Sequence, residues 1–517
     1  MSRISHVAAA VRSSPRRLFI VAFALFFGTG LVWAITTPPF GAGDEPAHVV
    51  RAIAIVEHGD LHGDLHGEKH GNSPQSFERI VQVPAIYRDS GFRASCYAFL
   101  PNVTPACAPF AGSSKEVATP TYAVRHPPTY YAVVAALTAW ADPLLGLDLM
   151  RAITAAICAA LLASATVSLF EPLDSELAGA GMLLALTPMA LYLSGVVNPN
   201  GPEIAAGIAV WVSGVRLATE GGPISGRLVT RLAIAASVFT LSRETSPFWL
   251  LLVALTLFAL TTKPRLREIV RERSVRLWAG VVFGLTLLQT AWDVAVSPFG
   301  LADRRFAIAA STSEIIRGAI GQVVPNYRES IGTFGWFADP VPMPVILLWT
   351  AGLGTLIMAV FAFARRRDVL VVGVAAAIAI VGPTIADAVI ARDAGFGWQG
   401  RYVLPFAAGI PIVAAYALRR SSRFDRTAAR RLAITFGVVF AIGQIIAYAQ
   451  QLRRYTVGRD GSLLFFARWD WSPPLPPWLL LGGYLVCIVG LAVLLTVPGG
   501  ARDDDTEVVP AAEPTVT

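Results

Sequence analysis

The sequence predicts an all-α polytopic membrane protein that crosses the bilayer about twelve times, with additional interfacial helices in its first outer loop. Of its 517 residues, 54% are hydrophobic and only 15% are charged, whereas soluble proteins carry about 25% charged residues. Apolar runs of about 20 residues, the length that spans a bilayer, recur between positions 18 and 497. These observations exclude a soluble protein and predict a single membrane domain.

The positions of arginine and lysine predict the topology, because cytoplasmic loops retain positive charge. Four basic segments are therefore assigned to the cytoplasm: 1–17, 263–276, 365–367 and 419–431. The membrane domain covers 18–497, and its long outer loops are 37–127, 297–342 and 450–474. The acidic tail at 498–517 is predicted to be disordered. The expected location is the plasma membrane, with both termini cytoplasmic.

Each predicted crossing is an apolar segment between these anchors. The crossings are 18–35, 149–170, 177–195, 203–219, 228–242, 247–262, 277–296, 343–363, 369–391, 402–418, 432–449 and 475–497. The apolar segment 129–146 is left out, because a further crossing would put the basic residues near 216–231 on the wrong side. It contains Tyr130, Tyr131 and Trp140 and is broken by Asp142 and Pro143. Aromatic residues of this kind are typical of the membrane interface, so we predict an interfacial helix.

The net charge of +7 is accounted for by the cytoplasmic loops and does not indicate nucleic-acid binding. The cysteines separate into two groups. Cys96 and Cys107 fall in the first outer loop, where an oxidising compartment would allow a disulfide. Cys158 and Cys487 fall in spans and are predicted to be core residues.

Charged residues near the ends of the spans are all predicted to lie at the outer face of the membrane. They are Glu203, Arg243, Glu244, Asp293, Asp387 and Arg401, the last followed by Tyr402. A charge at the bilayer centre costs about 3 kcal/mol, so such residues usually form pairs or line a cavity. They predict a site open to the outside. The alternative is a set of salt bridges that fasten helix ends, such as Glu203 with Arg243.

The turn after the first span has its own concentration of polar residues. Pro38 and Pro39 end the first helix, and a second amphipathic helix begins near Asp44 and Glu45. The free N–H groups and the dipole of a helix N-terminus stabilise an ionised carboxylate. Asp44 could be an N-cap only, but this does not explain His48 and Arg51 beside it.

Four segments together resemble a known superfamily of membrane enzymes. They are PPFGAGDEPAH at 38–48, HPPTYY at 126–131, NPN at 198–200 and QGRYVLP at 399–405. As an ordered set they resemble the GT-C superfamily of polyprenyl-phosphate-sugar-dependent glycosyltransferases. The first and last resemble more closely a bacterial family of multi-spanning membrane proteins labelled as a domain of unknown function. The resemblance covers about residues 18–450.

The resemblance implies a GT-C-like fold and an inverting sugar transfer on the extracytoplasmic side. The donor would be a polyprenyl-phosphate-linked sugar, and the acceptor an envelope glycan, a lipid or a protein. Asp44 would be the general base or orient the acceptor, with Glu45 as the alternative, while Arg401, Arg243 and Arg51 would bind the lipid phosphate. The remaining candidate substrate-binding residues are His48, His126, Asn198, Asn200, Glu203, Glu244, Gln399 and Tyr402. Many relatives have an acidic residue in the turn where this chain has Asn200, which puts a second carboxylate in doubt.

A histidine repeat in the first outer loop raises the question of a metal. His58, His62, His66 and His70 recur every four residues, the spacing that places imidazoles on one face of a helix. A glycine follows each of them and disfavours a helix by up to about 1 kcal/mol each, so a solvated loop is the preferred interpretation. Some GT-C enzymes use a divalent cation and others do not. No cofactor is therefore assigned, and a divalent cation remains an open alternative.

Two further function classes fit a chain with twelve crossings. One is a transporter or a lipid-linked-sugar flippase, for which internal repeats and polar residues near the midplane are expected. No half-to-half repeat is evident, and the acidic residues lie near span ends, so the enzyme is preferred. The other is a catalytically silent scaffold for envelope assembly.

Overall fold

The computed structural model describes residues 3–65, 78–138, 140–170, 176–296 and 307–498. His66, His70 and almost all of the acidic tail lie outside the described residues, as does part of the predicted outer loop 297–342.

The N-terminal third combines two long apolar helices with a small mixed region between them. Its helices are α1 (Arg3–Arg12), α2 (Pro15–Thr36), α3 (Glu45–His58), α4 (Ala85–Arg93), α5 (Ser95–Ala98), α6 (Pro128–Ala135) and α7 (Pro143–Phe170). Three antiparallel strands, β1 (Asp64–Leu65), β2 (Arg79–Pro84) and β3 (Glu116–Thr121), form a sheet in that order. Only helices were predicted for this loop. The sheet was missed, although Val81 and Val83 are buried and Gln82 between them is exposed, the alternation typical of a strand.

The first loop is held together by covalent and ionic links. The disulfide expected between Cys96 and Cys107 is present. Arg454, near the end of α21 (Arg426–Val457), donates hydrogen bonds to the carbonyl oxygens of Tyr97, Leu100 and Val103. Its Nε lies 3.1 Å from Oδ1 of Asp339. These bonds tie the disulfide-bearing segment to a membrane helix.

The middle of the chain contains short helices as well as long ones. They are α8 (Glu176–Ala185), α9 (Pro188–Leu193), α10 (Asn200–Thr219), α11 (Gly226–Thr240), α12 (Ser246–Leu260), α13 (Lys263–Arg271) and α14 (Arg273–Val296). The C-terminal part consists of α15 (Thr312–Gly321), α16 (Val323–Ile331), β4 (Thr333–Phe334), β5 (Asp339–Pro340), α17 (Met343–Phe363), α18 (Arg366–Ala394), α19 (Leu404–Ala407), α20 (Gly409–Arg419), α21 and α22 (Pro477–Thr496).

The structure supports a polytopic membrane protein, but not the full count of crossings. Within the described residues, eight helical segments are long and apolar enough to cross a membrane: α2, α7, α14, α17, α18, the segment Gly400–Arg419, α21 and α22. The other four predicted crossings correspond to α8 with α9, α10, α11 and α12. α11 and α12 have 15 residues each, and a helix of that length reaches only about 23 Å, less than the bilayer core of about 30 Å. The predicted count of twelve is therefore not confirmed.

The centre of the bundle is built where helices approach closely. Helix α10 meets α20 at Gly409, where an added Cβ would lie 2.1 Å from the ring of Trp211. It meets α19 at Gly207, where an added Cβ would lie 2.7 Å from the carbonyl oxygen of Pro405. Small residues allow this approach in membrane bundles. By contrast, α14 and α18 lie at the periphery, since only 17% of the most apolar 18-residue stretch of each helix is buried.

The segment 129–146 does not form one continuous helix, in agreement with the break predicted near Asp142 and Pro143. α6 ends at Ala135 and α7 begins at Pro143. The aromatic residues behave differently from the expectation. Trp140 is 89% exposed, but Tyr130 and Tyr131 are buried, because they face α3 and α7 rather than the interface.

Candidate active site

The turn between α2 and α3 is fixed by a buried ion pair. Arg151 of α7 donates from Nε to Oε1 of Glu45 (2.9 Å) and from Nη2 to Oε2 (2.6 Å), and both side chains are fully buried or nearly so. The same guanidinium donates to the carbonyl oxygens of Ala34, Thr37 and Pro38. Glu45 also accepts a hydrogen bond from the backbone N–H of Val197. Glu45 is therefore a structural anchor, and the alternative that it is the base is not supported.

Arg151 is a residue that sequence reasoning missed. It is a lone arginine in the first third of a long apolar helix. Because a charge in such a position is usually paired, that isolation was the signal that could have identified it.

Asp44 directly precedes α3 and has a left-handed backbone conformation, with φ +68°. Its carboxylate makes no N-cap hydrogen bond, so the alternative that Asp44 is only an N-cap is not supported. Instead, Oδ1 accepts a hydrogen bond from the hydroxyl of Tyr122, and Oδ2 contacts Nη2 of Arg401. Tyr122 follows β3, and Arg401 lies in the turn before α19. Three distant parts of the chain thus meet at one carboxylate, including the two positions that the sequence placed in a common site.

The surroundings of Asp44 favour its ionised form. Burial alone would raise the pKa of this carboxyl, but the charges of Arg401 and His48 and the hydrogen bonds from Tyr122 and Arg401 hold it below its ordinary value. Asp44 is therefore an anion at neutral pH.

Two buried arginines converge on the ring of Tyr402. The guanidinium carbon of Arg243 lies 4.4 Å from the ring centroid and that of Arg401 lies 5.2 Å away. Arg401 also lies over the ring of Phe337. Nη1 of Arg243 and Nε of Arg401 are buried and have no hydrogen-bond partner. Two adjacent cations with unused donors form an arrangement suited to an anion.

Carboxylates on the other side of Arg243 balance part of this charge. Its guanidinium lies 3.7 Å from Glu203 and 3.7 Å from Glu244, so the helix-fastening pair predicted from sequence is present. Glu203 also accepts hydrogen bonds from Ser246 (2.7 Å) and from Nδ2 of Asn200 (3.0 Å). Oδ1 of Asn198 accepts a hydrogen bond from the backbone N–H of Asn200, and Nδ2 of Asn198 is buried without a hydrogen-bond partner. The NPN turn therefore positions Glu203 beside Arg243.

Two histidines complete the cluster. Nδ1 of His126 contacts Oε2 of Glu244, and Nδ1 of His48 lies 2.8 Å from the hydroxyl of Tyr131. The two imidazole rings are 5.6 Å apart between centroids. Both rings are almost completely buried.

Other predicted residues lie away from this cluster or in structural roles. Arg51 donates to the carbonyl oxygens of Asp60 (3.0 Å) and Leu61 (2.7 Å) and fastens the segment after α3. The two terminal nitrogens of its guanidinium are thus engaged by the backbone, while its Nε is buried without a hydrogen-bond partner. That Arg51 binds phosphate stays a prediction. Gln399 directly precedes Gly400, and its Oε1 is buried without a hydrogen-bond partner.

The histidine repeat does not form one helical face in its described part. α3 ends at His58, and His62 lies in a bend and stacks on the ring of Trp292. His58 lies 3.3 Å from Glu116. Within the described residues, Glu57, His58 and Glu116 are the group whose ligand atoms are close enough for one metal ion, and all three are exposed.

An apolar cavity of about 370 Å³ adjoins the turn that carries Arg401. It lies between α16, α17, α18 and α20, and is lined by Val403, Leu404, Trp349, Ile357 and Ile410 among others. Gly400 fits against α16, since an added Cβ would lie 1.9 Å from the carbonyl oxygen of Asn326. Its N–H donates to Glu329 (2.8 Å). Helix α16 thus forms a wall of the cavity and also fixes the turn before α19.

Comparison with known proteins gives one family and two solved structures. A family model described as "Predicted membrane protein (DUF2142)" matches residues 26–410. The chain is similar to the crystal structure of ArnT from Cupriavidus metallidurans bound to undecaprenyl phosphate, with 14% identity and a TM-score of 0.43 over 92% of this chain and 76% of that chain. The chain is also similar to the apo state of the same protein, with 14% identity and a TM-score of 0.33 over 90% of this chain and 74% of that chain. No curated protein matches the chain.

Proposed function

This chain belongs to the DUF2142 family of predicted membrane proteins, and we propose that it is a membrane glycosyltransferase of the GT-C type. It would move a sugar from a polyprenyl-phosphate donor to a glycan, lipid or protein acceptor on the extracytoplasmic side. The observation that carries the proposal is the contact between Asp44 and Arg401. It joins an acidic group that can meet an acceptor hydroxyl to a cation that can hold a phosphate.

The two arginines suit the leaving group of such a transfer. A lipid phosphate leaves as an anion, so it needs cations rather than a proton donor, and guanidinium groups bind phosphate oxygens with two parallel hydrogen bonds. Nε of Arg401 and Nη1 of Arg243 are buried donors without a hydrogen bond, although Nη1 of Arg243 lies 3.7 Å from Glu203. Their burial strengthens the attraction, because a low local dielectric screens charges less than water does.

The adjacent cavity suits the prenyl chain of the donor. Its lining is almost entirely apolar and includes Val403 and Leu404, which follow Arg401 by two and three residues. The volume of about 370 Å³ falls within the range of about 300–1,000 Å³ for ligand sites. A lipid phosphate with its head group at Arg401 would place its first isoprene units there.

Asp44 would hold the acceptor hydroxyl beside the anomeric carbon. Its carboxylate is ionised at neutral pH, so it can accept the hydrogen bond of that hydroxyl while it orients Arg401. The positive charge of Arg401, which keeps Asp44 ionised, also makes Asp44 a weak base.

Replacing Arg401 tests donor binding directly. Arg401→Ala should weaken the binding of undecaprenyl phosphate to the purified protein by about 10- to 100-fold, because a hydrogen bond to a charged group contributes about 1.5–3 kcal/mol. Arg401→Lys should lose less, since it keeps the charge but not the forked geometry. Titration of the protein in lipid nanodiscs by native mass spectrometry would measure the affinity.

The matched control is Arg423→Ala, which removes an arginine from the loop between α20 and α21, at the opposite end of α20 from Arg401. It should bind undecaprenyl phosphate as the wild type does. Equal affinity of Arg401→Ala and the wild type would refute the assignment of Arg401 to the phosphate.

A further inference from the structure

The pair of His126 and Glu244 has the geometry of a general-base dyad. The contact of Nδ1 with the Glu244 carboxylate directs the ring proton to Nδ1 and leaves the lone pair on Nε2. Within the described residues, Nε2 of His126 makes no hydrogen bond. Glu244 is itself held by Arg243 at 3.7 Å and Arg125 at 3.8 Å. A carboxylate that is held in this way keeps its charge and can stabilise an imidazolium beside it.

Asp44 is poorly placed for the same task. One oxygen accepts from Tyr122 and the other is paired with Arg401, so a proton on either oxygen would break a charge-assisted bond. The dyad lies in the same cluster: Glu244 pairs with Arg243, which lies on the ring of Tyr402. His126 is therefore beside the group that would hold the donor phosphate.

We propose that His126 is the general base of the sugar transfer and that Glu244 holds it in the reactive tautomer. This inference rests on the proposed function. The acceptor oxygen forms a bond to the anomeric carbon, and its proton moves to Nε2 of His126. The bond from that carbon to the phosphate oxygen breaks, and its electron pair leaves with the lipid phosphate held by Arg401 and Arg243. The imidazolium then releases its proton to water.

His48 would remain neutral during the transfer. Its Nδ1 is bound to Tyr131 and its ring lies 5.6 Å from that of His126. Burial and the neighbouring His126 lower its pKa well below the ordinary value, although Asp44 opposes this. A neutral ring at this position adds no positive charge that would resist protonation of His126.

The pH dependence follows from the groups around His126. Those facing it from the surrounding elements are Glu244, Arg243, Arg125 and His48. Burial lowers the pKa of His126, while Glu244 opposes the shift. A base must be unprotonated, so transfer should persist at neutral pH and decline only below the ordinary titration range of histidine.

Isolated membranes allow the test without a purified substrate. Cells are labelled with radioactive glucose, and the chase of label from lipid-linked sugars into glycan is followed in their membranes. His126→Ala should slow the chase by about 100-fold or more, and added imidazole should restore part of the rate. Binding of undecaprenyl phosphate to this variant should be unchanged. Asp44→Asn should show no imidazole rescue, because its lost charge is not replaced by a neutral base.

A second variant gives a readout that a folding defect of His126→Ala cannot mimic. Glu244→Gln removes the charge that raises the pKa of His126, so its acid limit should move to lower pH, a shift that a merely structural role would not produce. The inference is overturned if His126→Ala chases label within about threefold of the wild type, if imidazole restores nothing, or if the acid limit of Glu244→Gln is unmoved. If wild-type membranes show no chase that depends on this protein, the proposed function fails and this inference falls with it.

Discussion

Asp44→Asn is expected to reduce sugar transfer by about 100-fold or more while the protein still accumulates in the membrane. Asparagine has nearly the same shape as aspartate and can still accept from Tyr122, but it lacks the charge that pairs with Arg401. Arg401 would then be free to adopt other orientations, and the acceptor hydroxyl would lose its anionic partner. The chase of labelled lipid-linked sugar in isolated membranes measures the effect.

The matched control for this substitution is Asp89→Asn, since Asp89 pairs only with its surface neighbour Arg88 in the described structure. It should leave transfer unchanged. If Asp44→Asn transferred sugar at the wild-type rate, Asp44 would have no place at the reacting centre.

Glu45→Ala is expected to destabilise the fold rather than to change the chemistry alone. Removal of one partner from a buried ion pair leaves an uncompensated charge and costs about 3–5 kcal/mol, a large fraction of the stability of a typical domain. Arg151 would be left with the carbonyl oxygens of Ala34, Thr37 and Pro38. The amount of folded protein after detergent extraction, and its midpoint of thermal unfolding, should both fall.

The double variant Glu45→Leu/Arg151→Met separates the two interpretations of Glu45. Apolar residues of similar volume can replace a buried pair at little cost, so the double variant should recover part of the lost stability. A single variant Glu45→Ala with wild-type stability but no transfer would instead show that Glu45 acts in the chemistry.

Much of the membrane architecture could be predicted because apolar length and basic loops are local properties of the sequence. The first span, the long C-terminal spans and the break at Asp142–Pro143 all follow from them. The short helices α11 and α12 are different, since the apolar runs predicted at 228–242 and 247–262 are already nearly as short as the 15-residue helices that form there. Their apolar composition suggested crossings, but a 15-residue helix is shorter than the bilayer core.

The site could be predicted in part. Asp44 and Arg401 were placed together because both were assigned to the outer ends of spans. The direction in which a side chain points depends on tertiary packing, which the local sequence does not give. Arg51 shares α3 with His48, but its guanidinium turns to the carbonyl oxygens of Asp60 and Leu61. Tyr122 was missed because nothing in its local sequence indicates that its hydroxyl meets Asp44.

The most direct measurement compares the lipid-linked sugars and the envelope glycans of cells that lack the protein with those of cells that carry it. If the cluster around Asp44 and Arg401 transfers sugar from a lipid phosphate, cells without the protein should accumulate a polyprenyl-phosphate-linked sugar and lose one sugar from an envelope glycan, lipid or protein. Reintroduction of the wild type, but not of Arg401→Ala, should reverse both changes. Identical lipid-linked sugars and glycans in the two strains would contradict the account.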